Sequence, residues 1–411
     1  MTWSVGIAIL AISASPVLAG ESAEDWSYDI NIEPVGCDCD SCCGDSVGCG
    51  DACCNQCGRD GLLGAIEGFS LSNLLGMEGS GIDIGGWSQW GYHDRATPLS
   101  PNYGDGLSFN DVPNQLNAQQ QWIYLGKEAD GSNGWDWGFR FDGLYGTDAQ
   151  KTQAFGNPGS QWDNSWDNGV YGWAIPQAYA EVAVGDFSVK VGHFFTLVGY
   201  EVVPATGNFF YSHALTMFNS EPFTHTGVLT TYKGIDGVTL YNGWTAGWDT
   251  GFTNANGGSN YLGGVGLDLL DSLTVTYILT YGNFGLRDGG GDDSYSHSVV
   301  FDLSLSDNLS YIFQTDMVSA DDVGTPNTNG FVENDQLSIN QYLIYKWNDL
   351  LSFGGRVEWW KNGGTSYYEA TGGVNVHILN NLVFRPEIRK DWSPGMDTEQ
   401  TTAACDAILT F

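Results

Sequence analysis

From Ile82 onward, apolar and polar positions alternate with a period of two, the spacing that sends successive side chains to opposite faces of a strand. In "WDWGFRFDGLYG" one set is Trp135, Trp137, Phe139, Phe141, Gly143 and Tyr145; the other is Asp136, Gly138, Arg140, Asp142 and Leu144. "LTVTYILTY" sets Leu273, Val275, Tyr277, Leu279 and Tyr281 against Thr274, Thr276, Ile278 and Thr280. "LSFGGRVEWW" does the same with Leu351, Phe353, Val357 and Trp359 against Ser352, Arg356, Glu358 and Trp360. The pattern predicts about sixteen strands, at 82–92, 119–126, 135–145, 173–184, 187–195, 226–233, 237–248, 260–269, 273–283, 295–305, 309–318, 335–347, 351–361, 366–378, 381–392 and 401–411. Most have the length a tilted strand needs to cross a bilayer.

The connections carry as much information as the strands. Tight links of Gly, Asp, Asn and Ser (Gly185-Asp186, "GID", "LDS", "SDN", "NDL", "LNN") alternate with long ones at 93–118, 146–172, 196–225, 249–259, 284–294 and 319–334. A soluble β-sandwich or propeller has no reason to alternate in this way. An all-β transmembrane antiparallel up-and-down β-barrel does, with short turns at one rim and long loops at the other. The aromatic set of "WDWGFRFDGLYG" would then meet lipid and the charged set a water-filled lumen. Trp135, Tyr145, Trp87, Trp90, Tyr92, Trp248, Tyr345, Trp347, Trp359 and Trp392, near strand ends, are expected in aromatic girdles. The chain closes on "CDAILTF", with Cys405, Ala407, Leu409 and Phe411 on one face. This ending resembles the last-strand signal of bacterial barrels.

Ahead of the alternating region, "MTWSVGIAILAISASPVLAG" has an apolar run and small residues before a cut after Ala19. Residues 1–19 are expected to be a signal peptide, although its n-region lacks Lys and Arg. Residues 20–60 form a polar leader with Cys37, Cys39, Cys42, Cys43, Cys49, Cys53, Cys54 and Cys57. In an exported chain an even set of this kind points to disulfides, with a dense metal–thiolate cluster as the alternative. "GDSVG" within it matches G-x-S-x-G but lacks the strand before and the helix after that a nucleophile elbow requires. Over 61–80, Leu62, Ile66, Phe69, Leu74 and Met77 fall at roughly helical spacing and predict a short amphipathic helix, weakened by Gly64, Gly68 and Gly76. Residues 81–411 are then the barrel. No run of eighteen apolar residues follows the signal, so a membrane-bound form must cross as strands.

Charge narrows the partners. With 14 Lys+Arg against 49 Asp+Glu the formal net charge is −35, which argues against nucleic acid. Aromatics reach 14% while charged residues stay at 15%, below the roughly 25% of an ordinary soluble domain. The composition therefore fits an all-β chain with much exposed apolar surface rather than a disordered acidic one.

Two stretches, "VKVGHFFTLVGYEVV" (Val189–Val203) and "NFFYSHALTMFNSEPFTHTGVLTTY" (Asn208–Tyr232), resemble the central block of the OmpL-like β-barrel porins. In that family a Gly-hydrophobic run leads to "GYE", followed by an aromatic-Ser-His segment and a "PFTHTG" return. The resemblance spans roughly 82–411 and implies an outer-membrane channel of a Gram-negative-type bacterium, without fixing the solute. The Cys-rich leader lies outside it; it is similar, more loosely, to leaders of outer-membrane proteins in planctomycete-type bacteria.

A channel is described by its constriction and its lumen charges. The link 196–225 is the third long one. It carries Tyr200, Phe209, Phe210, Tyr211, Leu215, Met217 and Phe218, and so is expected to fold into the barrel rather than stand in water. It would present Glu201, His213, Glu221 and His225 near the eyelet; the alternative is a loop that caps the barrel or contacts a neighbour. Parity places Asp136, Asp142, Glu181, Asp302, Asp316 and Glu358 on the lumen side, together with Asp83, Asp268, Glu369 and Glu387. Arg356, Arg385 and Arg389 share that side and form either a basic ladder opposite the acidic loop or local braces paired with Glu358, Glu387 and Asp391. The acidic excess predicts weak cation preference.

Six scattered His show no H-E-x-x-H pattern, and His297, between Ser296 and Ser298, falls on the lipid-side parity. No metal, cofactor or catalytic site is expected. The expected partners are outer-membrane lipid, small polar solutes and ions, with a homotrimer as an option. A different reading makes the barrel an anchor whose Cys-rich leader binds a periplasmic or wall partner.

Overall fold

The computed structural model describes residues 66, 69–77, 79–96, 109–288, 291–320 and 335–411. Sixteen strands dominate: β1 Asp83–His93, β2 Asn117–Lys127, β3 Trp135–Gly146, β4 Tyr171–Val184, β5 Phe187–Phe195, β6 Thr224–Ile235, β7 Val238–Thr245 and β8 Ser259–Leu270. They continue as β9 Leu273–Asn283, β10 Ser294–Ser306, β11 Leu309–Ser319, β12 Gln336–Lys346, β13 Leu351–Asn362, β14 Thr365–Leu379, β15 Leu382–Ser393 and β16 Thr398–Thr410. Each pairs antiparallel with the next, and a two-residue bridge at Asp167–Asn168 decorates β4. β1 closes on β16, with Trp87 opposite Thr410 and His93 opposite Ala404. Closure leaves no edge with unpaired backbone, which a lipid environment demands.

The tight turns predicted from Gly, Asp and Asn lie at one rim: Gly185 and Gly237, for example, take φ of +54° and +67° there. The long links lie at the other rim, except that β13–β14 and β15–β16 also turn tightly at Gly363-Gly364 and 394–397.

The two faces follow the parity argument. Trp135, Trp137 and Phe141 are exposed on the lipid face, whereas Asp142 and Leu144 are buried on the inner one. Of the expected girdle residues, Trp90, Tyr92, Tyr345 and Trp347 are exposed on the outer wall. Two expectations need correction. Trp87 shares the inner face with Gln89 and stacks on Trp122 at 4.5 Å inside the barrel. Trp248 lies beyond the end of β7, fully buried in the loops, where it stacks on Phe284 at 4.2 Å. In both, the ring finds a partner ring that lipid would not supply.

Before β1, helical spacing predicts a helix over 61–80. Among the described residues the structure shows Ile66 in helical conformation and one turn, α1 Leu71–Leu74, capped by Ser70 and followed by Gly76, whose φ is +66°. Ser72 Oγ ties it to Asp83 and Ile84, Asn381 holds the Ile66 carbonyl, and Phe69 faces Phe411. The segment therefore docks at the tight-turn rim, beside the closing strands. Gly76, at positive φ, marks the end of α1. The expected signal peptide and the Cys37–Cys57 cluster lie outside the described residues, as do residues 61–65. Among the described residues no helix is long and apolar enough to cross a membrane. Cys405 is the one cysteine among them, and its thiol is free.

Candidate functional site

Between β5 and β6, residues 196–223 turn into the barrel interior. Local chemistry shapes the excursion. Gly199, at φ +91°, permits the bend; a Cβ there would stand 2.1 Å from Glu221 Oε2. Asn208 then cross-links its own loop, accepting from Val202 N–H at 3.0 Å and donating to the Val202 carbonyl at 2.6 Å. A short helix, α2 Ala149–Thr152, stands in the preceding long loop, and α3 Leu215–Ser220 lies within the inward one.

Apolar side chains supply one half of the attachment. Val203, Leu215, Met217 and Phe218 pack against Trp87, Trp122 and Trp360 of the inner wall. Phe209 lies over Gly354 and Phe210 over Gly373, neighbours in register on β13 and β14. A side chain at Gly354 would meet Phe209 at 2.3 Å, so the missing Cβ atoms make a trough for the two rings.

Buried charge supplies the other half. Arg356 on β13 donates Nε to Glu369 at 2.8 Å, and Nη1 to Glu201 at 2.6 Å and to the Ser212 carbonyl at 2.7 Å. Arg385 on β15 grips Asp406 through Nε at 2.9 Å and Nη2 at 2.5 Å, while its Nη1 reaches the carbonyls of Ala205 and Asn208. Arg389 pairs with Asp391 and donates to the His213 carbonyl. The planar guanidinium suits this double duty, a carboxylate on one edge and a loop carbonyl on the other.

Wall carboxylates take the loop's donors. Glu387 accepts the N–H groups of Tyr211 and Ser212. Glu358 accepts those of Leu215 and Thr216 at 2.6 and 2.7 Å, satisfying the first turn of α3. On β2, Gln120 donates to the Val203 carbonyl and accepts the Ala205 N–H. The loop is thus bonded across the lumen, from β2 on one side to β11–β15 on the other.

Glu201 and His213 come together, Nδ1 to Oε2 at 3.0 Å, and Tyr342 donates to the other Glu201 oxygen at 3.0 Å. Burial pushes the Glu201 carboxyl up. Arg356, His213 and the Ala214 N–H outweigh that and hold it at about 2. Glu221 lies farther along and meets Gln314 on β11 at 2.7 Å. His225 is not in the loop cluster: it belongs to β6, bonded to Thr196 and the Gly247 carbonyl. The "PFTHTG" return is already strand at that point, so the imidazole stays with the wall.

The inner-face carboxylates divide by height. Asp142, Asp316 and Glu358 are buried around the loop. Asp136, Glu181 and Asp302 lie towards the tight-turn rim, where Lys127 pairs with Asp136 at 2.7 Å and Glu181 stands in register with Lys190. The arginines do not line an open ladder facing acidic groups across the pore. Each is buried against its own carboxylate and against the loop backbone, the bracing arrangement, with Asp391 an expected partner. Glu358 and Glu387 take loop N–H groups instead of guanidinium. Near the loop, Glu201, Glu358, Glu369, Glu387, Asp391 and Asp406 stand around these three guanidinium groups, and Glu221 and Asp316 lie farther off, on Gln314. The interior therefore stays acidic even after pairing.

Several contacts had no strong sequence signal. Asp406 sits in the closing strand among small residues, and Gln120, Gln314 and Tyr342 read as ordinary inner-face positions. The Gln-rich start of β2 ("NAQQQ") was the available hint of polar wall groups waiting for a backbone.

The family model "Putative beta-barrel porin-2, OmpL-like" matches residues 81–411, the whole barrel. The chain belongs to this family. It is therefore an outer-membrane porin channel by family and architecture, and both point away from an enzyme. In fold, this porin is similar to the DcaP outer-membrane channel of Acinetobacter baumannii, at TM-score 0.54 and 12% identity over 84% of this chain and 100% of that one. It is similar to the anion-selective porin of Comamonas acidovorans at TM-score 0.54 and 11% identity, over 80% and 99% of the two chains. A trimer form of OmpT from Vibrio cholerae matches at TM-score 0.52 and 12% identity, over 80% and 99%. At these identities the likeness is one of fold. None of the curated proteins matches the chain in sequence.

Proposed function

We propose that this porin forms a water-filled channel for passive diffusion of small polar solutes and ions, weakly preferring cations, with loop 196–223 as its constriction. The supporting observation is the loop's attachment: three buried arginines and two wall glutamates hold its backbone across the lumen, so it narrows the path permanently. Cation preference rests on the carboxylates left over after pairing, whose potential in a narrow, low-dielectric passage concentrates counter-ions. The anion-selective neighbour shares the barrel, whereas selectivity belongs to the side chains, which differ at 11% identity. Assembly as a homotrimer is part of the reading, supported by the trimer form of a protein of the same fold.

Single-channel recording across a planar bilayer with a salt gradient tests it. Discrete steps with a cation-favouring reversal potential are expected. A reversal potential of anion-selective sign refutes the preference, and unchanged conductance after removal of 203–218 refutes the constriction.

A further inference from the structure

Facing lipid instead of the lumen, His297 is a histidine to which the channel gives no role. His93, His193, His213 and His225 are all buried. His297 is half-buried and lies near the long-loop end of β10. It belongs to the outward set with Tyr295, Val299 and Phe301, while Ser294, Ser296 and Ser298 turn inward and are buried. An ionisable side chain on a hydrocarbon-facing wall is costly, and such residues tend to mark functional sites.

The ring does not stand alone. Its Nδ1 lies 2.9 Å from the Tyr295 hydroxyl, which lies 3.2 Å from the hydroxyl of Tyr277 on β9. A neutral imidazole and two phenols carry three polar hydrogens, and these two contacts use two of them. Whichever way the chain runs, one hydrogen is left over at its end, on His297 Nε2 or on the Tyr277 hydroxyl. Hydrocarbon has no acceptor for it, whereas phosphate and ester oxygens lie at the rim of the bilayer. Above the chain stand carboxylates. Asp293, the next outward position beyond Tyr295, is exposed and accepts from the Tyr281 hydroxyl at 3.4 Å. Asp292 beside it is exposed too and accepts from Asn283 at 3.2 Å. Met317, in register with His297, and Phe301 below it continue the wall as exposed apolar surface.

We propose that His297, Tyr295 and Tyr277 hold the phosphate of a membrane lipid whose ammonium group meets Asp293, which makes the outer wall of β9 and β10 a site for an ethanolamine phospholipid. The order of charges along the bilayer normal carries the assignment. In such a lipid the phosphate lies deeper and the ammonium nearer water. On this wall the hydrogen-bond donor lies deeper and the carboxylates nearer the rim. A headgroup with phosphate alone would bring like charge up to Asp292 and Asp293. A choline headgroup has no N–H to donate to a carboxylate. One acyl chain then descends over Met317 and Phe301, as lipid does on any apolar barrel wall. The site faces outward, so it stands whether or not the pore prefers cations.

The test is native mass spectrometry of the purified, detergent-solubilised protein, titrated with phosphatidylethanolamine, phosphatidylglycerol and phosphatidylcholine of identical acyl chains. Wild type, His297→Phe, Tyr295→Phe and Asp293→Asn are compared, with heat-modifiable gel mobility reporting a folded barrel. As detergent is stripped, wild type should retain the ethanolamine lipid in about tenfold excess over either other, the scale of one hydrogen bond to a charged group. His297→Phe should abolish that excess, and Tyr295→Phe, which breaks the chain at its middle, should reduce it. Asp293→Asn should bring phosphatidylglycerol level with phosphatidylethanolamine while both stay bound. Equal retention of the three lipids by wild type overturns the site, as does an undiminished excess in a folded His297→Phe. Loss of oligomers in His297→Phe with lipid retention unchanged also overturns it, and assigns the patch to a second copy of the chain. Should His297→Phe fail to fold, Tyr295→Phe and Asp293→Asn carry the comparison.

Discussion

Replacing Arg356 with Met is the most direct perturbation of the loop's attachment. The guanidinium is fully buried and bonds Glu201 at 2.6 Å, Glu369 at 2.8 Å and the Ser212 carbonyl at 2.7 Å. Methionine fills much of the volume but satisfies none of these groups. Glu201 and Glu369 then stay buried without the guanidinium that bonds both, and breaking a buried pair from one side costs about 3–5 kcal/mol. At about 1.4 kcal/mol per decade, the population of loop-released states should rise on the order of 10²- to 10³-fold. In single-channel records this appears as added, noisier conductance levels above the wild-type step. Limited proteolysis should cut between 200 and 220 in Arg356→Met and leave wild type intact. The companion Glu201→Gln/Arg356→Met removes a charge from each side and should recover part of the loss, as coupled neighbours do. A folded Arg356→Met barrel with unchanged step size, noise and protease pattern would show that the apolar contacts alone hold the loop, and the electrostatic account of the constriction would fall.

The remaining expectations use other links. Glu201 is depressed from 4.5 to about 2, so its share of the loop's attachment is complete above about pH 4.5 and is lost as pH falls through about 2. Conductance noise should therefore stay flat from pH 7 to 5 and rise below about 4; a rise centred near pH 6 would contradict the assignment. Gly354→Leu drives a side chain into Phe209 and should lift the ring from its trough at an overpacking cost of about 1–3 kcal/mol, enlarging the conductance step; an unchanged step in planar bilayers would argue that the trough is incidental. Val357→Arg puts a charge on the exposed outer face of β13, where a mid-bilayer arginine costs about 2–4 kcal/mol in folding equilibria measured in lipid. A neutral effect there would reverse the assignment of the two faces.

How much of this was legible in advance depends on how local the cause is. Strand existence and order were readable because period-two alternation and Gly, Asp and Asn turns act over a few residues: β5 Phe187–Phe195 and β9 Leu273–Asn283 start and stop where the alternation does. The inward course of 196–223 was also foreshadowed, since a loop carrying Phe209, Phe210, Leu215 and Phe218 has little reason to face water. Where its charges would go was not. Arg356 reaches Glu201 across 155 positions of sequence and Arg385 reaches Ala205 across 180, and no periodicity encodes such pairings. Trp87 and Trp248 show the same boundary from the apolar side. A tryptophan near a strand end suits a girdle, and only the closed barrel reveals Trp122 or Phe284 waiting to stack on it. Alternation by itself determined a lipid-facing barrel with an acidic interior. Closure decided which of those acids receive a guanidinium, which receive a backbone N–H, and which, like Glu221 and Asp316, are left facing each other, because only closure sets distances between residues far apart in the chain.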